Sequence, residues 1–182
     1  MKLGKTLLVT NRKAWRAWLK KNHGRKSEIW LIYYKKHSGR PRISYNHAVE
    51  EALCYGWIDS TVKRLDADRM AQRFSPRRPK SFLSETNKER VRRLIKARKM
   101  TRFGLTKIRA QLNEKFVPAR DIIAELKKDA PTWRNFSSFP ESYQRIRVGW
   151  IDGSRHRPDV FRQRLRYFLK MTAQNKQFGM IR

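Results

Sequence analysis

Cysteine is the scarcest residue in this chain of 182, with a single copy at Cys54. One thiol excludes an internal disulfide, and its apolar neighbours favour a buried structural side chain over a nucleophile. Histidine is also rare, and its four copies at positions 23, 37, 47 and 156 show no HxxxH or HExxH spacing. The sequence therefore predicts no metal site, and we expect no cofactor.

Motifs that would carry a reaction are missing as well. No glycine-rich nucleotide loop occurs, and Ser60, Ser75, Ser81 and Ser84 lie in no nucleophile elbow. No histidine falls between positions 47 and 156, so these serines have no nearby base in the sequence. We therefore name no catalytic residue, and the sequence argues against an enzyme without deciding the question.

Long hydrophobic runs do not occur either. No stretch approaches the ~18 consecutive apolar residues that indicate a membrane-spanning helix. The N-terminal segment MKLGKTLLVT has too short an apolar core for a signal peptide. We therefore expect a soluble, cytoplasmic protein that does not insert into a membrane.

Acidic residues are few, since 15 Asp and Glu stand against 45 Lys and Arg and the formal net charge is +30. Such an excess opposes compaction through self-repulsion and implies counterions or an anionic partner. It is densest between residues 77 and 109, where 13 basic and 2 acidic residues give +11. This segment is either a solvated basic surface or a specific polyanion site, and both interpretations stay open.

Aromatic residues are plentiful enough to build a core, with six Trp, nine Phe and six Tyr in the chain. Residue spacing predicts an α+β fold: a small, mostly antiparallel sheet flanked by helices, followed by a helical C-terminal cap. The predicted elements of the first part are a helix after Thr10 or Asn11, a strand over 28–35, a helix from Ser44 to Gly56, and a hairpin of strands over 57–65 and 69–74.

The remainder of the chain is predicted to be helical. Ser84 or Thr86 caps a helix, and Thr86 with Glu89 three residues later has the form of a capping box. Further helices are predicted over 101–115, from Pro118 to an end at Ala130–Pro131, over 136–150 and over 158–175. We therefore divide the chain into an α+β core of residues 1–115 and a helical C-terminal region of residues 116–182.

Two motifs stand out at the centre of the chain, Gly-Trp-Ile-Asp-Ser at 56–60 and Ser-Pro-Arg-Arg-Pro-Lys-Ser at 75–81. The first places a large ring and a carboxylate beside a glycine, and the second indicates a rigid cationic turn. The hairpin is expected to bring Asp59 next to the arginines of the second motif, which would orient its carboxylate as an anchor. A simpler interpretation, an ion pair that stabilises the fold around a buried Trp57, also stays open.

These motifs carry a family resemblance. Residues 48–60 (AVEEALCYGWIDS) and 73–81 (RFSPRRPKS), followed by Ser84 and Asn87, resemble the bacterial YdeI/OmpD-associated family, also called OmdA-like or bacteriocin-protection proteins. The resemblance covers roughly residues 11–112. A weaker resemblance extends over the tail, where Trp150 precedes a basic helix.

The chain departs from the family pattern at three places. Leu83 stands where the family tends to have Trp, and Arg98 stands where it favours Gly. Val160 and Phe161 replace an expected Thr and Arg. A ligand contact that relatives make at position 83, 160 or 161 is therefore not expected here.

The resemblance implies a function only in outline, because the activity of the family is largely undefined. Its names point to protection against bacteriocins and to association with an outer-membrane porin. A charge of +30 would repel a cationic peptide, so direct sequestration is a poor mechanism for this chain. We predict a binding or stress-protection module with an anion-accepting cleft. The alternatives are a non-specific nucleic-acid or polyanion binding protein and an unrecognised enzyme acting on a small anionic substrate.

Two sets of residues are the candidate sites, with an anionic small molecule, a polyanion such as nucleic acid, or a protein as partner. The cleft set combines a stacking ring, a carboxylate and arginine forks suited to carboxylate or phosphate: Trp57, Asp59, Arg77, Arg78, Ser81 and Asn87. The polyanion set lies on the predicted helix after Ser84. It is expected to contact the phosphates of a nucleic acid independently of the base sequence: Lys88, Arg92, Arg93, Lys96 and Lys99.

Overall fold

The computed structural model describes residues 2–79 and 81–179, and these form two compact units. The first unit is the chain up to Phe82 together with residues 90–112. The second is residues 83–89 together with the chain from Asn113 onward. Within the described residues, eight α-helices and one four-stranded sheet confirm the predicted α+β class.

The helices and strands follow one another in an order close to the predicted one. They are β1 (Thr6–Leu8), α1 (Arg12–Asn22), β2 (Ile29–Tyr34), α2 (Tyr45–Cys54), β3 (Trp57–Arg64), β4 (Arg69–Pro76), α3 (Glu85–Lys96), α4 (Arg102–Leu112), α5 (Arg120–Lys127), α6 (Ala130–Ser138), α7 (Glu141–Asp152) and α8 (Pro158–Ala173).

The sheet has the strand order β1-β2-β4-β3. Strand β4 pairs antiparallel with both β2 and β3, as the hairpin prediction requires. The short strand β1 was not predicted, and it adds to the edge of the sheet by pairing parallel with β2. Three residues with one half-buried side chain give too little alternation to indicate a strand from sequence.

Helices α1 and α2 pack on one face of the sheet through aromatic side chains. The ring of Trp15 meets Phe74 of β4 at a centroid distance of 5.4 Å, and Trp18 meets Trp57 of β3 at 5.8 Å. Trp15 is fully buried and its indole N–H donates to the carbonyl of Ala48 in α2 at 3.0 Å. Burying rings of this size is the main source of stability for a unit this small.

The helix ends show which local signals the chain uses. Asn11 accepts a hydrogen bond from the N–H of Ala14, and Ser44 accepts one from His47, so both predicted caps form. Ser84 accepts from Asn87, so Ser84 caps α3 and the capping box predicted at Thr86 does not form.

The helical region differs from the prediction at its prolines. Pro131 lies in the first turn of α6, whose cap is Asp129, so this proline begins a helix instead of ending one. The single helix predicted over 136–150 is two helices, because Phe139 and Pro140 adopt extended backbone angles between α6 and α7.

The second unit has a core of its own, built by helices α5 to α8. Its fully or almost fully buried members are Ile122, Leu126, Phe136, Phe139, Tyr143, Val148, Ile151 and Phe168. In the described part of the chain, none of the helices combines the length and the apolar character needed to cross a membrane.

Arg98 ends α3 in an unusual backbone conformation. Its φ of 53° lies in the left-handed region, and the N–H groups of Arg98 and Lys99 bond back to the carbonyls of Ile95 and Leu94, both at 2.9 Å. This pattern is a Schellman motif, whose left-handed position is usually glycine. Asn175 has a φ of 54° and ends α8 with the same two bonds.

We expect Arg98→Gly to raise the free energy of unfolding by about 0.5–1 kcal/mol, because glycine adopts the left-handed region without steric cost. The matched change Asn175→Gly should raise it less, because asparagine tolerates this conformation. Urea unfolding of the three proteins, followed by far-ultraviolet circular dichroism, measures both effects. Equal effects at the two sites, or a loss of stability in Arg98→Gly, would contradict the strain assigned to Arg98.

Candidate functional site

The hairpin of β3 and β4 divides its side chains between the two faces of the sheet. Successive side chains of a strand point to opposite faces, so Trp57 and Asp59 share one face and Ile58 and Ser60 share the other. The first pair meets helices α1 and α2, and the second pair lines an open cleft together with residues of β4. The cleft set predicted from sequence is therefore not assembled as one group.

Trp57 belongs to the core. Its side chain is fully buried, and its indole N–H donates to the carbonyl of His23 at 3.1 Å. Because no face of the ring is accessible, Trp57 supplies no stacking surface for a ligand. This corrects the predicted role of Trp57 and agrees with the structural interpretation that the sequence left open.

Asp59 is held by neutral side chains and not by the arginines of the second motif. Its Oδ2 accepts hydrogen bonds from the hydroxyl of Tyr45 at 3.0 Å and from Nε2 of Gln72 at 2.7 Å. Burial, followed by the nearby Asp59 carboxylate, raises the pKa of Tyr45 to about 12, so this phenol stays protonated at neutral pH and keeps donating. Asp59 therefore anchors the start of α2 to the sheet.

Arg77 is buried, with only 3% of its surface exposed. Its Nη2 donates to the carbonyls of Ser81 at 2.8 Å and Phe82 at 2.9 Å. Gln111 of α4 donates to the same Ser81 carbonyl at 2.9 Å. Burial lowers the pKa of Arg77. Its guanidinium therefore fixes the turn that follows β4 and is not open to a ligand, which corrects its predicted role.

The cleft on the other face has a volume of about 410 Å³. Of the predicted ligand residues it contains Arg78 and Ser81, and strands β3 and β4 add Ser60, Arg73 and Ser75. The complete lining is Ser27, Ile58, Ser60, Arg73, Ser75, Pro76, Arg78 and Ser81. Sequence reasoning missed Ser27, Ser60, Arg73 and Ser75 as ligand candidates. Strand alternation away from the buried Trp57 was the signal that could have found the three in the hairpin.

A bulge shapes this cleft. The pairing of β3 with β4 shifts between Asp59 and Val62, so two residues of β3 lie opposite one residue of β4. Within the regular part of the hairpin, Ile58 pairs with Ser75. Bulges of this kind redirect side chains and occur often beside functional sites. Here the bulge contains Ser60, which is exposed and lines the cleft.

Arg73 is oriented by a carboxylate. Its Nε donates to Oε2 of Glu28 at 2.7 Å, and the two side chains remain 25% and 32% exposed. The hydrogen bond from Arg73 lowers the pKa of Glu28, so Glu28 is ionised at neutral pH. Arg78 is exposed and forms no ion pair with another residue in the described part of the chain.

The predicted polyanion set is mixed in its exposure. Lys88 is only 4% exposed, and its Nζ lies 3.0 Å from Oε1 of Glu85, so it does not belong to an exposed cationic face. Arg92 is half-buried, whereas Arg93, Lys96 and Lys99 are exposed. Asn87, of the cleft set, is half-buried and lies with Lys88 in the second unit.

Comparison with known families gives one match in the first part of the chain and a different match in the last part. Residues 7–107 match the family model described as a domain of unknown function, DUF8412, which covers more than half of the chain. The chain belongs to the DUF8412 family. Residues 116–175 match a second family model, described as Bacteriocin-protection, YdeI or OmpD-Associated. No curated protein matches this DUF8412 chain, and no solved structure matches it.

The second match confirms the YdeI/OmpD-associated resemblance. It lies in the C-terminal region, where the motif resemblance was weaker. The motifs at 56–60 and 75–81, on which the resemblance mainly rested, fall within the DUF8412 match. The open cleft therefore belongs to the part of the chain whose family carries no functional description.

We expect Arg77→Met to lower the free energy of unfolding by about 2–3 kcal/mol, because the carbonyls of Ser81 and Phe82 lose charge-assisted hydrogen bonds. Arg78→Met is the matched control next to it in the chain, and an exposed substitution there should stay within about 0.5 kcal/mol of the parent. Urea unfolding followed by tryptophan fluorescence measures both. Similar losses in the two variants would contradict the bracing role of Arg77.

Proposed function

We propose that the first unit is a binding module whose open cleft accepts a phosphate-bearing or carboxylate-bearing anion. The observation that carries this proposal is the lining of the cleft, where Arg73 and Arg78 line one cavity together with four serines. Arginine forks bind planar or tetrahedral oxyanions through two hydrogen bonds, and hydroxyls donate to the remaining oxygens.

The two arginines have different roles in this proposal. The bond to Glu28 uses Nε of Arg73, so it orients the side chain while the two Nη atoms lie outside that bond. Arg78 is exposed on the turn that Arg77 fixes from inside. The bond to Glu28 thus preorganises the side chain of Arg73, which lowers the entropy lost on binding, whereas for Arg78 only the backbone is fixed.

The serine hydroxyls supply weaker, directional contacts. Ser81 donates its hydroxyl to the carbonyl of Arg78 at 2.9 Å, which helps to set the turn. Ser75 pairs with Ile58 in the regular part of the hairpin, so its position is as rigid as the sheet, whereas Ser60 lies in the bulge of β3. An anion in the cleft would therefore meet hydroxyl donors from the two strands, whereas the hydroxyl of Ser81 is already donated to the carbonyl of Arg78.

The family description that matches residues 116–175 suggests a bacteriocin-protection-type function at the level of the family. A chain of net charge +30 repels cationic peptides, so direct capture of such a bacteriocin is unfavourable. An anionic ligand in the cleft is compatible with the same charge. We propose that protection, at the level of the family, acts in this chain through an anionic partner.

Inorganic phosphate should shift the backbone amide resonances of residues 58–60, 73–75, 77 and 78 in a nuclear magnetic resonance titration. Arg78→Ala should weaken the affinity about 10-fold or more, because a hydrogen bond to a charged group is worth about 1.5–3 kcal/mol. Arg102→Ala is the matched control, because it removes an exposed arginine of α4 outside the cleft. Absence of shifts at the cleft, or equal loss in both variants, would refute the anion site.

A second candidate function is non-specific polyanion binding by the surface of α3 and α4. The favouring observation is a run of exposed basic side chains in the first unit: Arg93, Lys96, Arg98, Lys99, Arg102, Lys107 and Arg109. Phosphate contacts made by such residues release counterions and do not read sequence. A single-stranded nucleic acid is a ligand of this kind.

This candidate is tested by fluorescence anisotropy with a labelled single-stranded oligonucleotide. Affinity should fall steeply between about 50 and 200 mM salt, with a slope of about −0.7 for each phosphate contact. The double variant Lys96→Ala with Lys99→Ala should reduce that slope, whereas Arg78→Ala should change it little. Failure to bind at micromolar protein and low ionic strength would remove the polyanion function.

A further inference from the structure

We propose that the cleft continues into a second anion subsite, and that its ligand carries an oligophosphate group in place of a single phosphate. This inference rests on the proposed function, because it extends the same site. The added subsite is a neighbouring cavity of about 370 Å³, lined by Lys5, Arg25, Lys26, Ser27 and Glu28. Ser27 lines both cavities, so the two share a wall.

Backbone hydrogen bonds hold the basic residues of this second cavity in place. The N–H groups of Arg25 and Lys26 both bond to the carbonyl of Asn22, at 2.9 Å and 3.0 Å, in the turn after α1. The N–H of Trp30 bonds to the carbonyl of Lys5 at 2.9 Å, which ties Lys5 to β2. All three basic residues are exposed. Two separate segments are thus fixed so that their cations converge on one cavity.

The charge of the joined site exceeds what one phosphate neutralises. Five basic residues, Lys5, Arg25, Lys26, Arg73 and Arg78, line the two cavities together, and Glu28 is the one acidic residue among the lining residues. A phosphate group carries about −1.5 to −2 charges at neutral pH. Seating a single phosphate in one cavity would leave the cations of the other without an anion, whereas an oligophosphate reaches both.

Glu28 stands at the boundary of the two subsites. It lines the second cavity while its Oε2 accepts the bond from Arg73 of the first. Its other oxygen, Oε1, accepts from the indole N–H of Trp30 at 3.2 Å, so the carboxylate is fixed from two sides. Glu28 therefore fixes Arg73 at the boundary, and its charge lowers the net positive charge of the joined site without cancelling it.

The test compares inorganic phosphate with tripolyphosphate at matched ionic strength, by isothermal titration and by amide resonance shifts. Tripolyphosphate should bind at least about 10-fold more tightly, because its second contact is intramolecular once the first has formed. It should shift residues of both cavities, including 25–28. Phosphate should shift the residues of the cleft at lower concentration than those of the second cavity.

Variants separate the second subsite from general charge effects. The double variant Arg25→Ala with Lys26→Ala should weaken the affinity for tripolyphosphate at least about 5-fold and leave the affinity for phosphate nearly unchanged. The matched control is Lys20→Ala with Lys21→Ala, which removes the same charge from the exposed end of α1.

The outcomes distinguish the two proposals. If phosphate binds in the cleft but tripolyphosphate is no tighter, the second subsite is refuted and the proposed function stands. Equal losses of tripolyphosphate affinity in the two double variants also refute the second subsite, because net charge alone would then explain the tighter binding of tripolyphosphate. If neither ligand shifts the residues of the cleft, the proposed function itself is refuted, and the oligophosphate inference falls with it.

Discussion

The first unit depends on one constraint, the registry of the β3–β4 hairpin. Trp57 and Phe74 pack against the tryptophans of α1, and this aromatic contact is possible only when both lie on the same face of the sheet. A slip of either strand by one residue would turn its ring to the other face, away from α1, so the contact fixes the pairing of the strands. The same registry sends Arg73 and Ser75 to the opposite face, where they line the cleft. Core packing and site assembly are therefore two consequences of one alternation.

The turn after β4 extends that registry beyond the sheet. Arg77 continues the pairing, since its N–H bonds to the carbonyl of Gly56 at 2.9 Å, and its buried guanidinium then binds the carbonyls at the end of the turn. Gly56 has a φ of 69°, a conformation that a residue with a Cβ rarely adopts. Gly56 and Arg77 are thus both required by the backbone geometry of the turn. Of the two adjacent arginines, the turn buries Arg77 and exposes Arg78.

Local signals in the sequence predicted much of the fold, and long-range contacts account for what was missed. Ser44 and Gly56 act on their own backbone neighbours, so the ends of α2 followed from sequence. Pro131 was ambiguous, because a proline follows one helix as readily as it starts another. Lys88 fits an exposed basic stripe by periodicity, but its burial depends on Glu85 and Glu114. The role of Arg77 likewise depends on carbonyls whose positions exist only after folding.

The pairing of the acidic residues determines which exposed cations, including Arg78 of the cleft, remain without a carboxylate. At least twelve of the fifteen acidic residues pair with an arginine or a lysine, often a partly buried one. Glu51, for example, is buried and binds both Arg12 and Arg16. Few carboxylates are then left to neutralise exposed cations such as Arg78. Its counterion must come from solution, and in the proposed site the serine hydroxyls of the strands would add donors for an oxyanion.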